Sequence, residues 1–199
     1  MKSINLSGKV KLESDESYDT INVSGKIKCD KSIRANFFSA NGKIKIQGDL
    51  VVAKDVNIVG KTAINNVSCE RFNAVGGIDV CSVSAQEVLV TISTDSQISC
   101  INAPNVEITK KNSSTIETKI AQTIINALGI DFDCECAQEH AKLNAISITG
   151  KNIVMDNVTA EKVTGASVVV GKDCRISDLE YSENLTIDSS SVVKNVKRI

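Results

Sequence analysis

Ile4-Asn5-Leu6-Ser7-Gly8-Lys9-Val10-Lys11 returns 17 residues later as Ile21-Asn22-Val23-Ser24-Gly25-Lys26-Ile27-Lys28. It returns again as Phe38-Ser39-Ala40-Asn41-Gly42-Lys43-Ile44-Lys45, then as Val56-Asn57-Ile58-Val59-Gly60-Lys61. A weaker copy is Phe72-Asn73-Ala74-Val75-Gly76-Gly77, and two fainter ones without the glycine are Val88-Leu89-Val90 and Val106-Glu107-Ile108. The marker glycines 8, 25, 42, 60 and 76 are 17, 17, 18 and 16 residues apart. Spacing and residue type recur together, so this is a structural repeat.

Within a unit the apolar residues alternate, as in Phe38, Ala40, Gly42, Ile44 and Ile46, then Leu50 and Val52. Alternation at period two describes a strand with one face inward and one in water. Sixteen to eighteen residues are too few for a helix-pair repeat or a propeller blade, but they make one coil of a parallel β-helix with three short faces. Coils then stack about 4.8 Å apart, joined by backbone hydrogen bonds along the axis. Ile4, Ile21, Phe38, Val56 and Phe72 are expected in one inward column, and Leu12, Cys29, Ile46 and Ile64 in another. The recurring glycine fits either a corner that needs positive φ or an inward position where the coil pinches. Its parity with inward neighbours favours the second. Gly60-Lys61-Thr62 is no phosphate-binding loop, because Asp55 stands where such a loop needs its first glycine.

Composition agrees. Ile and Val number 24 and 22 against 8 Leu, aromatics make up 3%, Trp is absent and Pro104 is the only proline. β-Branched residues crowd a helix and suit a pleated sheet, which excludes an all-helical fold. A net charge of -1 argues against a nucleic-acid-binding protein. The first ten residues carry no apolar run like a signal peptide, and no stretch reaches membrane-spanning length. The seven cysteines therefore read as reduced, small apolar residues of a cytoplasmic protein.

The repeat breaks at 112–145. Ser114-Thr115-Ile116-Glu117 reads as a capping box, with Ile116, Ile120, Ile124 and Leu128 on one helical face and Gly129 as the stop. Strand patterning resumes at Ile146-Ser147-Ile148-Thr149-Gly150-Lys151 and runs to Ile199, room for about three more coils. The expected organisation is an all-β, parallel three-faced β-helix: coils over 1–111, a short helical insertion over 112–145, and coils over 146–199. Whether the two parts form one stack or two lobes is left open.

The Ile-Asn-Val-Ser-Gly-Lys-Ile-Lys units resemble those of the bactofilins, polymer-forming bacterial cytoskeletal proteins, in particular a subgroup typical of low-GC Gram-positive bacteria. The resemblance is carried also by Ala160-Glu161-Lys162-Val163-Thr164-Gly165, Val168-Val169-Val170-Gly171, Ile176-Ser177-Asp178-Leu179-Glu180-Tyr181 and the tail Val193-Lys194-Asn195-Val196-Lys197-Arg198-Ile199. It implies a nucleotide-independent, non-enzymatic scaffold that self-assembles end to end to organise cell-envelope, morphogenesis or motility machinery. Cell-envelope proteins and the inner face of the membrane are the implied partners. Bactofilins usually carry a disordered amino-terminal tail that docks the membrane, whereas the first repeat here starts at Ile4.

A β-helix exposes strand backbone and apolar side chains at its two tips unless they are covered. No residues before Ile4 are expected to form a cap. The expected self-assembly interface is Ile4, Leu6, Val10 and Leu12 at one tip and Leu185, Ile187, Val192, Val196 and Ile199 at the other. Lys9, Lys26, Lys43 and Lys61 form a ladder that a linear anionic partner could recognise; the plainer account is solvated side chains that splay apart and pair with nearby acids. A β-helical acyltransferase depends on a catalytic histidine, and this chain has only His140, in the insertion; a monomeric interaction module remains an alternative. Asp131, Asp133, Cys134, Cys136, Glu139 and His140 lie close together but lack the ligand spacing of a structural zinc site. No catalytic residue, metal or cofactor is expected.

Overall fold

The computed structural model describes residues 2–12, 17–111 and 140–199. They form β1 (Lys2–Leu12), β2 (Ser17–Cys29), β3 (Ile33–Ile46), β4 (Leu50–Val52), β5 (Asp55–Ser68), β6 (Arg71–Ser84) and β7 (Glu87–Ile92). The remaining strands are β8 (Ser96–Asn102), β9 (Asn105–Lys110), β10 (Leu143–Thr149), β11 (Asn152–Met155), β12 (Val158–Val170), β13 (Arg175–Ile187) and β14 (Val192–Arg198). Every pairing among them is parallel. The chain is a β-solenoid of about 10 turns.

Each turn has three faces. Face A holds the rows that begin at Ile4, Ile21, Phe38, Val56 and Phe72, which stand in register as the repeat requires. The marker glycine follows, and face B then carries Leu12, Cys29, Ile46 and Ile64 in one column. Face C closes the turn, as where Leu50 stacks between Ile33 and Val67. From β5 onward the ladder skips one residue per turn between faces B and C, for example Cys81 and Ile146. Side chains pointing in are almost all aliphatic and buried, with Phe38 and Phe72 the largest of those fully buried. A narrow interior filled by stacked identical positions selects Ile, Val, Ala and Cys, which explains the composition.

The glycines correct one expectation. Gly8, Gly25, Gly42, Gly60 and Gly76 all take positive φ, between +83° and +134°. They are the corners between faces A and B, not inward pinch points. A Cβ on Gly42 would run into the carbonyl oxygen of Gly25, and the same holds for Gly25 on Gly8, Gly60 on Gly42 and Gly76 on Gly60. Parity misled because a corner interrupts the alternation: Ser24, Gly25 and Lys26 are exposed in succession between buried Val23 and Ile27.

The two sets of coils are one continuous stack. β10 lies on β8, and β11 lies on β9. Pairing resumes at Leu143, three residues before the expected boundary, because Leu143 and Ala145 already point inward. The expected helix at 116–128 lies outside the described residues.

Candidate functional site

The tips carry the clearest surface feature. One inward column on face A runs Leu6, Val23, Ala40, Ile58, Ala74, Val90, Ile108, Met155, Val170 and Ile187. Its middle members are buried, whereas Leu6 is half-buried and Ile187 is 40% exposed. The neighbouring column runs from half-buried Ile4 to half-buried Leu185. Among the described residues β1 pairs only with β2, and β14 only with β13. β14 covers residues 175–181 of β13, and no described strand pairs with the outer edge of its face A segment, 184–187. Val192, Val196 and Ile199 on the last turn are 59%, 49% and 59% exposed. Val10 is half-buried at the first tip, and the Leu12 side chain lies outside the description. The structure thus gathers the nine expected residues onto the first and last turns.

The lysines form a strip on face B. Lys9, Lys26, Lys43 and Lys61 are in register, as expected, and a second column of Lys11, Lys28 and Lys45 runs beside it. All seven are exposed. Asp30 pairs with Lys28 at 3.0 Å and with Lys11 at 3.9 Å. The first column continues to Gly77, and the second to Ala63 and Asp79, where the basic surface ends.

A third feature was not legible beforehand. The skipped residues between faces B and C line a groove of about 810 Å³ along the axis, walled by Ser99, Ile146, Glu161, Ser177, Arg175 and Lys194 among others. Ile146 is 51% exposed there. Sequence alternation gave no hint of it, because a one-residue skip in the ladder appears only when turns are aligned in space.

Among the described residues reactive chemistry is sparse. Burial, with a smaller contribution from the Asp55 charge, pushes the Cys69 thiol up to about 12. Burial also raises Cys174, so both are protonated at neutral pH and poor nucleophiles. His140 is exposed. Among the described residues no three His, Cys, Asp or Glu side chains converge as a metal site; residues 131–139 of the acidic cluster lie outside the description. No helix among the described residues is long and apolar enough to cross a membrane. Comparison with protein-family models, characterised proteins and solved structures returns no match.

Proposed function

We propose that this chain is a non-enzymatic, bactofilin-like scaffold whose copies join end to end through the tips of the solenoid. The observation that carries the reading is the face A core column, sealed along its length yet open at Leu6 and Ile187. Joining two tips would supply partners to the unpaired backbone of β1 and of β13–β14 and cover the apolar residues around them. Unpaired edges invite such association, and buried apolar area favours it at roughly 25 cal/mol per Å² before the costs of ordering. Head-to-tail joining of unlike tips gives a ring or an open polar filament, while alternate pairing of like tips gives a non-polar filament. A scaffold of this kind suits peripheral organisation of cell-envelope or motility machinery on the cytoplasmic side of the membrane.

Sedimentation velocity and negative-stain electron microscopy of the purified chain test this. The parent should sediment as large species and show filaments or patches, and Leu6→Lys or Ile187→Lys should return it to monomers if unlike tips join, or to dimers if like tips pair. A parent that stays monomeric at high concentration, with both variants behaving identically, would sink the proposal.

A further inference from the structure

The lysine strip has a shape and a charge density that select a partner. Its seven ammonium groups occupy four consecutive turns of one flat face. Rows rise by about 4.8 Å, so the strip is about 14 Å long, and the two columns sit about 6.7 Å apart along the strand. Neighbours in a column repel by about 1 kcal/mol in water. Lys9, Lys26, Lys43, Lys45 and Lys61 have no ion-pair partner among the described residues. Two columns together give one positive charge per roughly 2.4 Å of axis over the paired rows. This repulsion is a standing cost that an anionic partner would relieve.

Three partner chemistries can be ranked against those dimensions. An extended acidic peptide turns alternate side chains to one side and so offers the strip a carboxylate only every roughly 6.7 Å. A phosphate chain offers charge at every link, about every 3.4 Å in a single nucleic-acid strand, which is nearer the strip's own density. An anionic bilayer would meet a basic face too, but most of the large exposed apolar side chains that could enter it, such as Ile146, Val154, Val169 and Val192, lie in later turns, and Val51, within the strip's own turns, stands on face C rather than beside the lysines. No aromatic side chain stands in the strip to stack a base. The residues are lysine without arginine, point charges suited to single phosphate oxygens rather than planar bidentate pairing.

We propose that the face B strip binds a linear phosphoanhydride chain, a polyphosphate without bases or sugars, laid along the solenoid axis between the two lysine columns. The contact is made by ammonium groups with phosphate oxygens and driven by counterion release. Asp30 tempers it by holding Lys28 and Lys11.

Inorganic polyphosphate is the probe, titrated against the full chain over a range of salt concentrations, with orthophosphate, polyglutamate, an unstructured single-stranded oligonucleotide and anionic vesicles alongside. Polyphosphate should bind well ahead of the other four. Lys26→Gln with Lys43→Gln should weaken it about tenfold at low salt and lower the slope of log K against log salt by about two. Asp30→Asn should tighten it, and Lys151→Gln with Lys172→Gln, far from the strip, should leave it unchanged. Circular dichroism confirms that these exposed substitutions fold. An unchanged slope in the Lys26/Lys43 variant, or lysine-dependent capture of vesicles, oligonucleotide or polyglutamate in place of polyphosphate, would overturn the assignment.

Discussion

Thr62 places a hydroxyl in a column that otherwise carries Ile27, Ile44 and Ile78, and that hydroxyl has no hydrogen-bond partner. An unpaired buried polar atom costs its full desolvation. Thr62→Val keeps the shape and removes the orphan, so it should stabilise the fold by about 1 kcal/mol in urea unfolding. The glycines make a sharper contrast. Gly8 and Gly42 share positive φ, but an added Cβ meets nothing within 4 Å at Gly8 and meets the Gly25 carbonyl at Gly42. Gly8→Ala should cost about 1–2 kcal/mol from backbone strain alone, and Gly42→Ala clearly more. Equal losses would mean that the carbonyl yields freely. Cys69 supplies a pH dependence. Its folded thiol titrates near 12 against a reference of 9.0, so between those values the unfolded chain loses its proton first. Stability is then fully present below pH 9 and falls as pH rises toward 12. Cys69→Ala should flatten that alkaline decline. None of these three effects is visible in the repeat itself, which marks where glycine recurs but not which atom it must avoid.

At the scale of the element, the insertion replaces a single corner. β7 passes to β8 through Ser93, Thr94 and Asp95, whereas the next turn takes residues 111–142 to make the same passage from β9 to β10. Lys111 donates its backbone N–H to the Ile92 carbonyl, and Lys142 donates its own to the Asp95 carboxylate. Lys111 therefore stands over Ser93 and Lys142 over Asp95, leaving only the place of Thr94 for everything between them. Joining Lys111 to Lys142 through one or two small residues should preserve the β-sheet circular dichroism spectrum and keep the melting temperature within a few degrees. Loss of cooperative unfolding would show that the segment helps hold the stack. The sequence located this break well, since the apolar alternation stops at Lys110 and the helical period begins soon after. It placed the return late, at Ile146, because Leu143 and Ala145 alone make an alternation too short to mark a strand. Only their registry with Val158 and Ala160 identifies them as strand.

For the whole molecule, stability and assembly are linked. A solenoid is held turn by turn, so its first and last turns have one neighbour instead of two and are the weakest. If tips join, association binds only the folded chain and raises its apparent stability by mass action. Thermal melting of the parent should then shift upward as protein concentration increases, and Leu6→Lys should abolish that shift without lowering the dilute-limit melting temperature by more than a degree or two. A concentration-independent melt in the parent would count against end-to-end joining. The repeat alone determined the coil, its period and its inward columns, because a period of 17 with apolar alternation has few other ways to bury its side chains. Tertiary structure decided that the glycines are corners, that the two sets of coils share one axis, and that the skipped residues open a groove. Each of those depends on how one turn sits on the next, and contacts between turns leave no local signature in the residues that make them.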